Sequence, residues 1–292
     1  MKNEGTAYKA FRVFNVIFLI ALNLTMLYPI LYVIFASLSD SNELMGHMGL
    51  LLKPLHANLD AYKAVFKNPM IVKGYLNTII VVVAGVGISM ILTILCAFVL
   101  SRKEVALRNV MMGFVMFTMF FGGGLIPFYL TVKNVGLDNT LWALIIPYSV
   151  NVYNMVIMRT TFVQLPEALI ESSKLDGANP MQILVKIVMP LSVPVMMVIM
   201  LYYTVAQWNS WFPAMIFLHD RAKFPLQLIL REILIQNDTA TMMQGVGMQD
   251  AASVGETIQY AVIVVATVPI LVIYPFIQRF FTEGVMIGAV KG

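Results

Sequence analysis

Four residues near position 210 have side chains that could bind a carbohydrate: Gln207, Trp208, Asn209 and Trp211. An indole ring can cover the apolar face of a sugar ring, and an amide can form hydrogen bonds with its hydroxyl groups. These residues lie in a long apolar stretch, where an amide is costly unless it meets a partner or lines a wet cavity. Two interpretations stay open. The group either lines a substrate pathway or forms an interfacial tryptophan belt with hydrogen bonds between helices.

A second group of candidate residues belongs to the polar segment 160–186, which separates two apolar stretches. Pro166 suits the first turn of a helix because it has no N–H group, and Gly177 can adopt the left-handed conformation that ends one. Asn179 and Pro180 are the residue types expected at the N-cap and first position of a second helix. The pattern predicts a helix, a glycine turn and a helix, which together form a shaped element that docks onto a partner.

Glu171 is the residue of this segment that we expect to contact the partner. Alone, it could be a solvated charge paired with Lys174, at a spacing worth about 0.2–0.5 kcal/mol. The complete pattern instead favours a pair with a basic group of the partner in a partly desolvated cleft. Ser172 and Ser173 keep the helix thin enough to enter such a cleft, and Asp176 can accept hydrogen bonds around the glycine turn.

The composition is that of a membrane protein, with 60% hydrophobic and 12% charged residues and a mean hydropathy of +0.83. Uncharged stretches predict an all-α, polytopic fold of six transmembrane helices, because each reaches the roughly 20 residues that cross a hydrocarbon core of about 30 Å. The predicted spans are approximately 13–38, 75–100, 110–131, 140–158, 192–218 and 257–278. Residues 1–292 then form a single transmembrane domain, with segment 160–186 as a cytoplasmic loop between helices four and five.

Two of the predicted spans contain residues that favour a bend or an unusual packing. Gly122, Gly123 and Gly124 interrupt the third span, where they permit either a kink or close helix packing, and packing is favoured. Pro190 and Pro194 indicate that the first turns before the fifth span lie at the membrane interface.

The distribution of Lys and Arg predicts the orientation. A modest excess of these residues lies on the side of the N-terminus, close to the ends of the spans. Because basic residues stay preferentially on the cytoplasmic side, both termini and segment 160–186 are predicted to be cytoplasmic. The chain is expected to cross the membrane several times. The net charge of +4 reflects this asymmetry and requires no nucleic acid.

The sequence lacks three features, and each absence argues against one class of function. None of the predicted spans contains Asp, Glu, Lys or Arg, which lowers the odds of coupling to an ion gradient. The chain lacks a Gly-x-x-x-x-Gly-Lys-Ser/Thr phosphate loop, so energy from ATP must come through a partner. The three histidines have no ligand spacing, and no metal site is predicted.

Segment 160–186 resembles the loop by which permeases of ABC importers contact their ATPases. The family pattern is Glu-Ala-Ala, three residues, Gly, nine residues and Ile-x-Leu-Pro. This chain has Glu171-Ser172-Ser173, Gly177 and then Ile187-Val188-Met189-Pro190, so that Ser replaces both alanines and Met replaces Leu. The stretches FGGGLIPFYL, QWNSWFPA and FPLQLILREIL and the terminal GAVKG extend the resemblance along the chain. They are similar to carbohydrate-uptake permeases of the maltose-permease-G type.

The resemblance implies a permease subunit that forms a translocation pathway with a second permease and imports a carbohydrate, in the most similar branch a complex oligosaccharide. The other implied partners are two copies of an ABC ATPase, an extracytoplasmic solute-binding protein and membrane lipid. ATP and Mg are then bound by the ATPase, and this chain is neither an enzyme nor the holder of a cofactor. An ion-coupled or facilitative sugar carrier is the alternative, and a membrane scaffold without transport is a third reading.

Overall fold

The structure, a computed structural model, describes residues 6–236 and 257–275, and these residues form helices joined by loops and turns. The α-helices are α1 (Thr6–Ser37), α2 (Ser41–Gly46), α3 (Asp60–Lys67), α4 (Pro69–Ser101), α5 (Arg108–Phe120), α6 (Leu125–Asn134), α7 (Trp142–Ile145), α8 (Val152–Gln164), α9 (Glu167–Leu175), α10 (Pro180–Ile183), α11 (Met189–Leu191), α12 (Val193–Trp208), α13 (Trp211–Phe217), α14 (Leu226–Gln236) and α15 (Thr257–Pro275). Short 3₁₀ turns span Ile146–Tyr148 and Arg221–Lys223, and a π-helical turn spans Leu184–Val188.

Three helices are long and apolar enough to cross a membrane: Phe11–Ser37, Pro69–Ser101 and Thr257–Pro275. They correspond to the first, second and sixth predicted spans, of which residues 276–278 lie outside the described residues. Up to five spans result if each of two bent helix pairs counts as one. An all-α, polytopic membrane fold is therefore confirmed for the described ranges, whereas the number six stays a prediction.

The predicted third span is broken at its glycines. Helices α5 and α6 meet at 114° across this break, and Gly124 has a φ of +86°. A Cβ atom at Gly122 or Gly123 would have no atom of the described chain within 4 Å. Close packing at Gly122 and Gly123 is therefore not found within the described part of this chain. Gly124 allows the bend, because its positive φ would strain a residue that carries a side chain.

The predicted fourth span, 140–158, is not one continuous helix. Helix α7 is followed by a 3₁₀ turn that contains Pro147, and the helix restarts only after Asn151. The side chain of Asn151 caps α8 by accepting a hydrogen bond from the N–H of Asn154 at 3.0 Å. Proline interrupts a helix because it lacks an N–H donor and its ring clashes with the preceding turn.

The predicted fifth span, 192–218, is bent at its start and interrupted near its end. Pro180–Leu191 and Val193–Trp208 meet at 86°. Helix α12 ends at Trp208, and the chain turns before α13 begins at Trp211. The candidate residues around position 210 are thus divided between two short helices, rather than carried by one long one.

The contacts divide the chain into two units, of which the larger comprises Met70–Arg231 and Pro269–Gly292. Its core is formed by apolar side chains of α4, α8 and α12, among them Phe98 and Phe162. Ile170 of α9 and Ile183 of α10 are buried in the same core. Burying a large apolar side chain stabilises by about 1.5–3 kcal/mol, so the polar segment is firmly attached to these helices.

The smaller unit comprises Met1–Pro69 and Glu232–Val268. It has a small core of its own, which contains Ala36, Leu44 and Leu51. The hydroxyl of Tyr28 in α1 accepts a hydrogen bond from the N–H of Leu51 at 3.1 Å, which holds the loop after α2 against α1.

Candidate coupling segment and candidate pathway cavity

Segment 160–186 has the predicted order of helix, glycine turn and helix. Gly177 follows α9 with a φ of +81°. The N–H groups of Gly177 and Ala178 donate to the carbonyls of Lys174 and Ser173 at 3.0 and 2.9 Å, a pattern that closes helix ends followed by glycine. A Cβ atom at Gly177 would meet no atom within 4 Å. The glycine is therefore required by its backbone conformation, whereas space within this chain imposes no limit.

The second helix of the segment begins with the predicted cap. The side chain of Asn179 accepts a hydrogen bond from the N–H of Gln182, and that of Gln182 accepts one from the N–H of Asn179, both at 2.9 Å. Pro180 occupies the first turn, as predicted. Pro166 is the N-cap of α9 and lies one residue before the first turn in which it was expected, with little consequence for the segment.

The predicted contact residues lie on the accessible side of α9. Glu171 and Ser172 are exposed and Ser173 is half-buried. The alternative considered for Glu171, a local pair with Lys174, does not form, because Lys174 pairs with Glu104 instead. Glu171 forms no ion pair with any residue that the structure describes, so its carboxylate is available to a partner.

The segment also exposes large apolar side chains that the sequence analysis did not single out. Leu175 is 89% exposed, and Leu169 and Met181 are about half exposed. Asp176 is exposed beside Leu175, and its N–H donates to the carbonyl of Ser172 at 3.0 Å, which places Asp176 within the helix cap. Apolar side chains exposed around an unpaired carboxylate are typical of a surface that binds another protein.

Two ion pairs connect α9 to the turn between α4 and α5. Lys103 contacts Glu167 in the first turn of α9 at 2.6 Å, and Glu104 pairs with Lys174 in the last turn. Because Lys103 and Glu104 are adjacent, both ends of α9 are attached to one turn. The hydrogen bond from Lys174 lowers the pKa of Glu104, which keeps this pair charged at neutral pH.

A cleft of about 220 Å³ lies beside α9, and Glu171 is part of its lining. Five basic side chains also line it: Arg102, Lys103, Arg108, Arg159 and Lys174. Two of them join helices, since Arg102 donates to the carbonyl of Phe162 at 3.2 Å and Arg159 to that of Leu100 at 2.9 Å. Partial burial lowers the pKa of Arg102, an effect opposed by the carboxylates of Glu104 and Glu167. The ends of α4, α8 and α9 therefore form one connected assembly.

A larger cavity, of about 610 Å³, lies between α8, α12 and the turns next to them. Its lining is rich in phenol and amide groups, which come from Tyr148, Tyr153, Tyr202 and Tyr203 and from Asn151, Asn154, Gln207 and Asn209. None of the lining residues in the described ranges 6–236 and 257–275 is charged. Among the residues that the structure describes, no cluster of His, Cys, Asp or Glu could hold a metal ion.

Two amides of this cavity have no hydrogen-bond partner within the described part of the chain. Asn154 and Gln207 are each 5% exposed, and their side chains form no hydrogen bond with another described residue. Their amide atoms are nevertheless not among the fully buried atoms without a partner, so they stay accessible from the cavity. Water or a bound molecule in the cavity can therefore be their partner.

The hydroxyl of Tyr203 holds the wall of the cavity together. It forms a hydrogen bond with the hydroxyl of Thr93 in α4 at 2.7 Å and accepts one from the N–H of Asn151 at 3.1 Å. One turn later in α12, Gln207 packs against Gly85 of α4, where a Cβ atom would lie 3.0 Å from the amide nitrogen. Both contacts fix α12 against α4.

Neither of the two tryptophans considered for the pathway is among the lining residues of this cavity. Trp208 is buried with its ring edge-on to Tyr75, at 6.2 Å between ring centroids. Trp211 is half-buried, and the guanidinium of Arg231 lies 4.4 Å from the centre of its ring. Helix α12 ends at Trp208 and α13 begins at Trp211, so the two rings are not carried by one helix. Of the predicted group, Gln207 and Asn209 line the cavity.

The tyrosines and the amides of α8 are the residues that the sequence analysis missed. Asn151 and Asn154 are amides within a predicted uncharged span, which is the signal that identified Gln207. Tyr202 precedes Gln207 by five residues. Spacing along the chain could not show that the stretches 148–154 and 202–210 meet in space.

Comparison with known proteins is consistent with this arrangement. Residues 2–287 match the family model "Binding-protein-dependent transport system inner membrane component". The chain is 40% identical over 286 residues to Protein LplC of Bacillus subtilis (strain 168), which covers 98% of this chain and 96% of LplC. It is 41% identical over 280 residues to the polygalacturonan/rhamnogalacturonan transport system permease protein YtcP of the same organism, covering 94% and 96%.

A solved structure extends the likeness from sequence to fold. One chain of a bacterial ABC transporter involved in the import of the acidic polysaccharide alginate superposes with a TM-score of 0.88. That match has 29% sequence identity and covers 96% of this chain and all of the other. The resemblance to importer permeases drawn from the residues is thereby confirmed. The chain belongs to the family of inner membrane components of binding-protein-dependent transport systems.

Proposed function

We propose that this chain is a permease subunit of an ATP-driven importer of a carbohydrate and that it forms the pathway with a second permease. The main support for a carbohydrate as the substrate is the cavity between α8 and α12. Its tyrosine rings suit the apolar faces of sugar rings, and its two unpartnered amides suit sugar hydroxyls, which both donate and accept. The relatives named for polygalacturonan and alginate support a complex oligosaccharide.

In this proposal, segment 160–186 binds a cytoplasmic ATPase through the face that carries Glu171. The other residues assigned to this contact are Ser172, Ser173, Asp176 and Gly177. Support comes from the unpaired carboxylate of Glu171 and from the exposure of Leu175 beside it. Two ATPase copies bind the ATP and Mg, one on each permease, and an extracytoplasmic binding protein delivers the sugar.

The membrane arrangement follows from the same proposal. Residues 1–292 act as one permease domain in a bacterial cytoplasmic membrane, in contact with lipid. Both termini face the cytoplasm, on the same side as segment 160–186. The chain has no catalytic residue of its own, because ATP is hydrolysed by its partners.

Helix α8 offers a route from the ATPase to the sugar. Its last turns contain Phe162, which is buried in the same core as Ile170 of α9. Its first turn contains Asn154, which lines the cavity. A displacement of α9 by the ATPase would therefore be carried along α8 and would alter the cavity wall opposite α12.

Reconstitution in liposomes tests this function. With a second permease, the ATPase and the binding protein, import of a labelled oligogalacturonate should depend on ATP on the ATPase side. The chain alone should be inert in a sodium or proton gradient, because the described residues that line its cavity include no charged group to bind a coupling ion. Gradient-driven uptake by the chain alone would contradict the proposal and support an ion-coupled carrier.

A further inference from the structure

The cavity between α8 and α12 is uncharged, although the chain has many basic residues elsewhere. Among the residues that the structure describes, no Asp, Glu, Lys, Arg or His lines the cavity. The cleft beside α9, in contrast, gathers five basic side chains together with Glu104, Glu167 and Glu171. These five basic side chains thus belong to the cleft and not to the cavity lining.

An uncharged lining limits what the cavity can recognise in a sugar. To select a carboxylate by its charge, a site needs a cation, and arginine is the usual protein group for this purpose. Phenol and amide groups donate hydrogen bonds to hydroxyls and to carboxylates alike. Tyr153, Tyr202, Asn154 and Gln207 can therefore hold ring faces and hydroxyls, but they do not distinguish an acidic sugar by its charge.

We propose that this cavity binds the ring faces and hydroxyl groups of an oligosaccharide and contributes nothing to the choice of acidic over neutral sugars. The inference rests on the proposed function and specifies the ligand surface that this chain recognises. A carboxylate in the cargo is matched outside this cavity.

Two probes with the same sugar rings but different charge provide the test: trigalacturonate and its methyl ester, which is neutral and carries an added methyl group on each carboxyl. Import of each is measured with the complete reconstituted importer, and the acid-to-ester ratio of every variant is compared with that of the wild type. Because every variant is measured with the same binding protein, the preference of that protein for either probe cancels in this comparison. Tyr153→Ala and Tyr202→Ala should each lower import of both probes about tenfold, because each removes a ring surface, and should leave the ratio within about twofold of the wild-type value.

Introducing a charge should create a selectivity that the wild type lacks. Asn209→Asp places a negative charge at an exposed position of the lining and should lower the acid-to-ester ratio about tenfold by repulsion. Asn134→Asp is the matched control, because Asn134 is also an exposed asparagine at the end of a helix but lies outside the cavity lining. The control should leave the ratio unchanged.

The outcomes separate this inference from the function on which it rests. A tyrosine variant that shifts the ratio by more than about fivefold, or that gains a probe the wild type excludes, would overturn the inference. So would an unchanged ratio in Asn209→Asp. In these cases import by the wild type still supports the carbohydrate function. If the wild-type importer takes up neither probe although the binding protein stimulates ATP hydrolysis, the carbohydrate function itself is contradicted and the inference falls with it.

Discussion

The polar groups of segment 160–186 differ in charge and in exposure from those of the cavity between α8 and α12. In the segment, charged side chains are exposed and two ion pairs fix α9 to a neighbouring turn. In the cavity, the polar groups are uncharged, and Asn154 and Gln207 are buried without a partner in the described chain. An interface that stays engaged benefits from fixed charges. A pathway that must release its cargo benefits from neutral groups, which exchange water for sugar hydroxyls at little net free energy.

The largest effect is expected from removing the unpaired carboxylate of the segment. Glu171→Ala should lower ATP-driven import roughly 30-fold or more, since a buried charged residue at the centre of an interface contributes about 2 kcal/mol or more. Import per folded complex and ATP hydrolysis stimulated by the binding protein are the measurements. Asp60→Ala, which removes an exposed carboxylate of α3, is the control and should leave both values normal. Normal values in Glu171→Ala itself would remove the basis for an interface at this residue.

A second variant separates backbone strain from contact with the partner. Gly177→Leu introduces strain of about 1–2 kcal/mol at a left-handed position. Gly136, with a φ of +79° and open space around it, offers the matched control Gly136→Leu outside the segment. Both variants should lower the unfolding temperature similarly, but only Gly177→Leu should lower import about tenfold beyond the loss of folded protein. Equal import in the two variants would assign the effect to strain alone.

A third variant tests the role of the cavity by removing an amide that has no partner in the described chain. Gln207→Met keeps the volume and removes a buried polar group, so the unfolding temperature should stay the same or rise. Import should nevertheless fall about fivefold to tenfold, as expected for one lost hydrogen bond to cargo. Trp208→Phe, one residue away but packed on Tyr75, should lower stability and leave sugar preference unchanged. A loss of stability in Gln207→Met would show that the amide has a structural role.

A smaller effect is expected from exchanging the two charges of the turn that holds α9. The double variant Lys103→Glu with Glu104→Lys keeps the composition but breaks both ion pairs. Exposed pairs contribute about 0.2–1 kcal/mol each, so import should fall about twofold to tenfold. Adding Glu167→Lys and Lys174→Glu should restore import only partly, because the reversed charges oppose the dipole of α9. Unchanged import in the double variant would show that the turn does not position α9.

The smallest expected effect concerns pH. The hydrogen bond from Lys174 lowers the pKa of Glu104 below its ordinary value of 4.5. A carboxylate whose pKa is lower in the folded state stabilises fully above its unfolded pKa and loses this contribution as the pH falls through the lowered value. The sensitive window therefore lies in acid, and the unfolding temperature of the complex should change little through this pair from about pH 8 to about pH 6. If the unfolding temperature of the wild type fell between about pH 8 and about pH 6 while that of the exchanged-charge variant did not, this assignment would be contradicted.

The sequence predicted the segment well because its determinants are local. The positive φ at Gly177 and the cap at Asn179 depend on a few neighbouring residues, and both are present. The first, second and sixth spans were predictable for a similar reason, since length and apolar composition suffice to identify a spanning helix.

The cavity was predicted only in part, because it depends on contacts between distant stretches. Gln207 and Asn209 were identified as amides in an apolar run, but the tryptophans beside them pack elsewhere. The break after Trp208 turns α13 away from α12, and no local rule gives its direction. The bends of 114° and 86° escaped prediction for the same reason, although glycine and proline marked the places where they occur.

The π-helical turn Leu184–Val188 connects α10 to α11 and so lies between the candidate ATPase contact and α12. Such a turn winds one residue more than an α-helical turn, and Pro190, which cannot donate to the carbonyl of Lys186, follows it directly. Rewinding it as α-helix would rotate the preceding residues by about 100° about the helix axis and shift them by about 1.5 Å. The connection between the two regions can therefore rotate and translate in one step. We expect a displacement of α9 to reach α12 as a rotation as well as a translation.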